Sequence, residues 1–229
     1  MTLDPPITTI FFDLHGVLID SSRLLPCTAQ QLGAVMAERY GSTPSQWTAA
    51  YNRVRADWDS YHADLDFDGD EGLSQVYEGL YRVTRALFRL TQTPEPPHES
   101  LRTLSRDLPA LMSRACDVIR SEARPVIVAL NAHGFRMGVT SYLLESQTQA
   151  LLEGGGIKPY FSVGVFGVDT LEQFRRDTLY YQRIGVRSGI PAVQCLVVDR
   201  VSAHLEAARS AGMQAASVDV LRTLLDVSG

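Results

Sequence analysis

The stretch that decides the fold of this 229-residue chain is Ile7-Thr-Thr-Ile-Phe-Phe-Asp13-Leu-His15-Gly-Val-Leu-Ile-Asp20-Ser21. Its first six residues are β-branched or aromatic, which is typical of a short buried strand. The apolar run ends at the carboxylate of Asp13, and a glycine turn follows. Because ligands of open α/β sheets bind beyond the carboxyl ends of the strands, we expect Asp13 to belong to a functional site.

Strand and helix patterns alternate in the second half of the chain. We predict strands at 136–141, 161–166, 195–199 and 214–218, and helices at 124–133, 147–153, 174–184 and 202–211. Together with a first strand at 7–13, this alternation predicts an α/β fold built on a doubly wound parallel sheet.

The residues between the first strand and this second half show helical patterns. Apolar residues recur at helical spacing in four segments, which are 28–40, 45–58, 72–90 and 101–119. A proline-rich loop at 91–98 separates the last two of these segments, because prolines at this density interrupt a helix. We therefore predict an α/β core of residues 1–20 and 122–229, with an all-helical cap inserted at 21–121.

The composition narrows the class of protein. The chain is 45% hydrophobic and 21% charged, which is ordinary for a globular protein. Its net charge of −5 argues against nucleic acid or an anionic membrane as a partner. We expect no membrane span and no signal peptide. The three cysteines are too few and too scattered for a disulfide framework, so we expect a reducing, cytoplasmic location.

Three predicted strands end in polar residues. These are Asp13-Leu-His15, Thr140-Ser141 and Asp199-Arg200. Any one such residue could simply cap the next helix. Since the carboxyl ends of parallel strands share one edge of a sheet, we expect the three to converge on one ligand site.

Several segments resemble the signatures of the haloacid dehalogenase superfamily. Residues 13–21 are similar to its first motif, D-x-D-G-V/T-L-x-D-S, with His15 in place of the second aspartate. Residues 136–141 resemble the second motif, in which Thr140 matches the phosphoryl-binding position. Residues 195–213 resemble the fourth motif and its helix, C-L-V-F-E-D-S-x-x-G-V-E-A-A-x-A-A-G-M, with Asp199 and Arg200 on the acidic pair. The resemblance implies a Rossmann-like core with a helical cap after the first motif.

The third motif of this superfamily carries a lysine before the fourth strand. Alignment backwards from Ser188-Gly-Ile-Pro191 places Arg175 on that lysine and Tyr181 on the motif tyrosine. Lys158 is the only lysine of the chain, and it lies elsewhere. We therefore expect the always-charged Arg175 to replace the motif lysine as a holder of anions.

The resemblance implies a mechanism that this chain alters. In the superfamily the first aspartate forms a covalent intermediate, the second transfers protons, and Mg²⁺ is bound beside them. Here Asp13 supplies the nucleophile, and His15 can exchange protons near neutral pH. Asp13 and Asp199 are the acidic ligands left for a metal, while Arg200 would repel it. We expect Mg²⁺ binding to be weak or absent, as in the dehalogenase branch, which uses no metal.

Three functions follow from this pattern. The first is a hydrolase for a small anionic substrate, chiefly a phosphate ester, with Thr140, Ser141, Arg175 and Arg200 as substrate-binding residues. The second is a catalytically silent binding protein, in which Arg200 pairs with Asp13 and Asp199. The third is an atypical biosynthetic enzyme that uses His15 for proton transfer. An exposed face of the cap could support a homodimer.

Overall fold

The computed structural model describes residues 7–69 and 71–219. Its sheet has five parallel strands in the order β3-β2-β1-β4-β5. The strands are β1 Thr9–Asp13, β2 Arg136–Thr140, β3 Gly164–Phe166, β4 Cys195–Asp199 and β5 Gln214–Ser217. Every residue of β1 is buried, since this strand lies at the centre of the sheet. The predicted parallel α/β fold is confirmed.

The chain divides into two compact units. One comprises residues 1–21 and 117–229, and the other comprises residues 22–116. The sequence had placed these divisions at 20/21 and 121/122. In the described part of the chain, no helix has the length and apolar character needed to cross a bilayer.

Within its described residues, the inserted unit has four long helices. They are α1 Ser21–Tyr40, α2 Pro44–Ala56, α3 Gly72–Thr91 and α4 His98–Leu111, with a short 3₁₀ helix at Trp58–Tyr61. At the start of α2, the Thr43 hydroxyl accepts from the Gln46 amide and the Gln46 side chain accepts from the Thr43 amide, which is a capping box. Trp47 is fully buried and packs edge-to-face on Phe88 at 5.2 Å. The unit therefore has a hydrophobic core of its own.

The predicted fourth helix at 101–119 was wrong at its end. The helix stops at Leu111, and Ile119 instead forms an antiparallel bridge with Ile19. The Asp20 amide donates to the Val118 carbonyl at 2.9 Å. These backbone hydrogen bonds are incompatible with a helix, so the chain becomes extended where it rejoins the sheet unit.

The helices of the sheet unit fill the connections between its strands. They are α5 Ala123–Ala132, α6 Glu145–Gly154, α7 Val168–Leu171, α8 Thr178–Ser188 and α9 Ser202–Ser210. The single helix predicted at 174–184 was wrong at its start. Asp177 caps α8 by accepting from the Tyr180 amide at 3.0 Å. The cap leaves residues 173–177 outside any helix, and this matters for the site.

One disulfide lies in the inserted unit. Cys27, in α1, is bonded to Cys116, which is 89 residues further along the chain. The expectation that the cysteines form no disulfide was wrong for this pair, and Cys195 is the free one. The pairing depends on how α1 packs against the end of the unit, which spacing does not reveal. The cytoplasmic location loses the support that free cysteines gave it, and it stays a prediction.

We expect this disulfide to stabilise the fold by about 2–4 kcal/mol, because it closes a long loop in the unfolded chain. Urea unfolding with dithiothreitol should show this loss in the wild type and none in the Cys27→Ser/Cys116→Ser variant. Thiol titration in urea without reductant should find one free thiol per chain. Three free thiols per chain would contradict the pairing. A urea midpoint of the wild type that is the same with and without dithiothreitol would also contradict it.

Candidate active site

Two buried carboxylates lie at the carboxyl edge of the sheet. Asp13 ends β1 and Asp199 ends the neighbouring β4, with 3% and 0% of their surface exposed. On the other side of β1, Thr140 ends β2 and lies in register with Asp13. The three strand ends converge as their positions in a parallel sheet require.

A single guanidinium binds both carboxylates. Nη1 of Arg176 lies 2.7 Å from Oδ1 of Asp13 and 3.2 Å from Oδ2 of Asp199. The Arg176 side chain has no exposed surface. Arg175 was the cation expected here, and the structure places Arg175 on the surface instead. Since two arginines are adjacent in a non-helical segment just before the Asp177 cap, counting residues could not decide between them.

Two aromatic rings enclose the same guanidinium. Its central carbon lies 4.0 Å from the ring centroid of Tyr142 and 5.5 Å from that of Tyr180, within the range of cation–π attraction. Nε and Nη2 of Arg176 are buried and have no hydrogen-bond partner among the residues that the structure describes. These two N–H groups form one edge of the guanidinium, and such an edge binds carboxylate or phosphate with two parallel hydrogen bonds.

Opposing effects act on the pKa of the Asp13 carboxyl group. Burial raises its pKa, and the nearby charge of Asp199 raises it further. The Arg176 guanidinium acts in the opposite direction and favours the ionised form. A nucleophilic carboxylate in this dry position therefore depends on Arg176 for its charge.

His204, in α9, lies beside these carboxylates. Its Nδ1–H donates to Oδ2 of Asp199 at 2.9 Å, and its Nε2 lies 2.7 Å from the hydroxyl of Tyr142. Oδ1 of Asp199 accepts from the Val201 amide at 2.9 Å and so fixes the start of α9, which carries His204. The signal was present in the sequence, because the fourth motif has glycine where this chain has His204.

His15 is half-buried in the turn after β1. Its Nδ1 is buried without a hydrogen-bond partner in the described residues. Burial lowers the pKa of His15, and the charges of Arg176 and Arg200 lower it further. The imidazole is therefore neutral near neutral pH, which suits it to accept a proton rather than to donate one.

Arg200 was expected among the substrate-binding residues, and only the silent-protein alternative paired it with Asp13 and Asp199. In this structure Arg176 makes those ion pairs, and substrate binding by Arg200 stays a prediction. Arg200 is exposed, and its side chain lies against Gly16, where an added Cβ would be 2.7 Å from Cδ of the arginine. Gly16 also has a φ of +76°, so this turn requires glycine for two reasons.

The hydroxyls at the end of β2 have partners within the protein. Thr140 is buried and donates to the Phe12 carbonyl at 3.4 Å. The Ser141 hydroxyl, also buried, accepts from the Leu143 amide at 3.0 Å. The Thr140 hydroxyl therefore links β2 to β1, and the Ser141 hydroxyl supports the turn after β2.

The residues at this site do not suit Mg²⁺. Asp13 and Asp199 were the expected ligands, and both are in contact with a buried guanidinium. Residues 7–69 and 71–219 contain no group of three or more His, Cys, Asp or Glu side chains that could hold a metal ion. Because Mg²⁺ requires an octahedron of oxygen ligands, a cation already seated between the two carboxylates opposes its binding.

Comparison with known proteins identifies the family. A model of haloacid dehalogenase-like hydrolases matches residues 7–212. Fructose-1-phosphate phosphatase YqaB of Escherichia coli (strain K12) is 26% identical over 162 residues, which are 70% of this chain and 83% of YqaB. A 2-haloacid dehalogenase from Pseudomonas syringae pv. Tomato DC3000 has a similar structure, with a TM-score of 0.58 and 17% identity over 97% of this chain and 100% of that one. The putative hydrolase YfnB from Bacillus subtilis, solved with magnesium bound, gives a TM-score of 0.55 and 14% identity over 92% and 86% of the two chains. The resemblance in the motifs is thus confirmed, and this chain belongs to the haloacid dehalogenase-like hydrolases.

Proposed function

We propose that this protein hydrolyses a small phosphate ester through Asp13, with weak or no dependence on Mg²⁺. The observation that carries the proposal is the direct contact between Asp13 and the buried Arg176. A phosphatase relative supports the choice of phosphate as the anion, since YqaB is described as a fructose-1-phosphate phosphatase.

Arg176 would perform two tasks in this reaction. Its Nη1 keeps the Asp13 carboxylate ionised and oriented. Its unpartnered Nε and Nη2 would bind two oxygens of the incoming phosphate. The attack of one anion on another is opposed by charge repulsion, and a fixed cation in a dry site reduces that repulsion strongly. Thr140 and Ser141 would add hydroxyls on the β2 side after a small rearrangement of the turn.

His15 would act in the second half of the reaction. The attack of Asp13 on phosphorus gives an acyl phosphate, which water must hydrolyse. A neutral imidazole accepts a proton from that water as its oxygen bonds to phosphorus. The Asp13 carboxylate is then released together with inorganic phosphate.

One observation favours a second candidate, a silent binding protein. Both carboxylates of the site are bound by Arg176, which could hold Asp13 in a salt bridge instead of leaving it free to attack. In that case the site would bind an anion without turning it over. Activity measurements separate the two functions.

We expect the wild-type protein to hydrolyse p-nitrophenyl phosphate or sugar phosphates, and EDTA to change the rate little. Asp13→Asn should remove at least about 10³-fold of kcat, because it deletes the nucleophile. Asp107→Asn, at an exposed carboxylate of α4, is the matched control and should keep full activity. Strict dependence on added Mg²⁺ would contradict the metal-independent site. A folded wild-type protein without turnover on any ester would favour the binding protein.

Substitution of each arginine in turn should distinguish the role of Arg176 from that of Arg175. We expect Arg176→Gln to lower kcat/KM by about 10²-fold or more, since a fixed positive charge on the transferred group is lost. It should also destabilise the fold by about 3–5 kcal/mol, because it leaves buried carboxylates unpaired. Arg175→Gln should change neither value appreciably. Equal effects of the two substitutions would show that the losses of kcat/KM and of stability do not arise from the contact between Arg176 and Asp13.

The decline of activity at low pH should reflect the protonation of His15. Its pKa is lowered from the usual 6.5, so the base form persists and activity should decline only below that pH. Arg200→Gln removes one of the charges that lower this pKa and should move the decline to higher pH. Arg200→Lys keeps the charge and should leave the profile in place. If Arg200→Gln has the same pH–rate profile as the wild type, His15 is excluded as the base.

A further inference from the structure

The reaction also needs a proton donor for the leaving group. When the ester bond breaks, the leaving alkoxide needs a proton, which the second aspartate of the first motif would supply in related enzymes. His15 holds that position here, its Nδ1 is buried without a hydrogen-bond partner in the described residues, and the reaction above uses it as the base of the second step. A group other than His15 is therefore the better donor for the leaving oxygen.

A chain of three side chains reaches the site from the β4 side. Oδ2 of Asp199 accepts from Nδ1–H of His204 at 2.9 Å, and Nε2 of His204 lies 2.7 Å from the hydroxyl of Tyr142. The side chains of Asp199 and His204 are 0% and 14% exposed. The inner two members are therefore shielded from water, and their hydrogen bonds are correspondingly strong.

The outer end of this chain is accessible and close to the nucleophile. Tyr142 lies two residues beyond Thr140, the last residue of β2, and is 44% exposed. Its ring lies 4.0 Å from the guanidinium carbon of Arg176, and Nη1 of the same guanidinium lies 2.7 Å from Asp13. Tyr142 and Asp13 thus face one cation, at adjacent strand ends.

We propose that Tyr142 is the general acid of this enzyme and that His204, held by Asp199, supplies its proton. The proposal rests on the phosphate-ester hydrolysis proposed above and names the group that its first step lacks. In this arrangement Tyr142 touches the leaving oxygen and is a catalytic residue. His204 and Asp199 act through Tyr142 and are positioning residues.

The protons balance over the two steps. In the first step Asp13 bonds to phosphorus, the ester P–O bond breaks, and the leaving oxygen takes the Tyr142 proton while Nε2–H of His204 reprotonates the phenol oxygen. In the second step water bonds to phosphorus and the Asp13 carboxylate leaves. The proton that His15 takes from the water returns through solvent to Nε2 of His204, so the enzyme ends as it began. No oxidant or further reactant is needed.

The surroundings of the tyrosine favour a donor. Burial raises the pKa of Tyr142, and the Arg176 charge acts against that shift. The phenol is therefore protonated in the resting enzyme. The charged side chains of Asp199, Asp13 and Arg176 lie close to this chain, and the Asp199 carboxylate fixes the orientation of the His204 ring by accepting from its Nδ1–H.

The leaving group offers a sharp test. An alkyl ester such as glycerol phosphate or fructose 1-phosphate releases a strongly basic alkoxide and needs a general acid, whereas p-nitrophenyl phosphate releases a stable phenolate and does not. Tyr142→Phe keeps the ring on Arg176 and removes only the hydroxyl. We expect it to lower kcat/KM for alkyl esters by about 10²-fold and for p-nitrophenyl phosphate by less than about threefold.

Further variants separate this role from a structural one. His204→Gln should show the same selectivity, and the Tyr142→Phe/His204→Gln double variant should lose little more than either alone, because the two residues act as a unit. Tyr160→Phe and His133→Gln, elsewhere in the sheet unit, are the controls and should leave both esters unaffected.

Three results would overturn the proposal. Equal losses of Tyr142→Phe on both kinds of ester would mean that the tyrosine only supports Arg176. A wild-type enzyme that cleaves p-nitrophenyl phosphate and no alkyl ester would have no general acid; in both cases Asp13→Asn would still abolish the turnover and the proposed function would stand. A wild-type protein that cleaves neither ester would remove the proposed function, and the general acid with it.

Discussion

The ion pairs of Arg176 with Asp13 and Asp199 are the contacts on which the rest of the site depends. Two carboxylates buried side by side at neighbouring strand ends would repel each other strongly. One guanidinium without exposed surface compensates both of them. Taking these charges out of water is costly, and the cost is met only when all of them stay together. The buried charges of the site therefore depend on one another, and a variant that removes one of them disturbs the others.

The sheet explains why these groups meet. β1 lies between β2 and β4, so Asp13 has Thr140 on one side and Asp199 on the other. The non-helical segment before α8 then carries Arg176 over the sheet edge, and α9 carries His204 to the same place. The rings of Tyr142 and Tyr180 exclude water from the guanidinium and strengthen its contacts. Each element contributes one chemical group, and together they form a compact anion-binding arrangement.

The sheet and the strand-end residues of the candidate site could be predicted from the sequence. The β-branched run before Asp13 and the strand–helix alternation after residue 123 were sufficient for the sheet, because both patterns reflect burial. The strand-end residues followed from the sheet. The identity of the cation could not be predicted, since Arg175 and Arg176 are adjacent in a segment outside any helix, where no periodicity shows which of them is buried. The disulfide was missed because 89 residues separate Cys27 from Cys116. His204 was missed because its role depends on Tyr142, which lies 62 residues away in the chain.

The most direct measurement is a crystal structure of the protein grown with Mg²⁺ and beryllium fluoride, which mimics a phosphoryl group on an aspartate. We expect the fluoride complex on Asp13 with Nε and Nη2 of Arg176 on two fluorine atoms, and no ion between Asp13 and Asp199. An octahedral Mg²⁺ between these carboxylates, with Arg176 displaced towards solvent, would contradict the central role of this arginine.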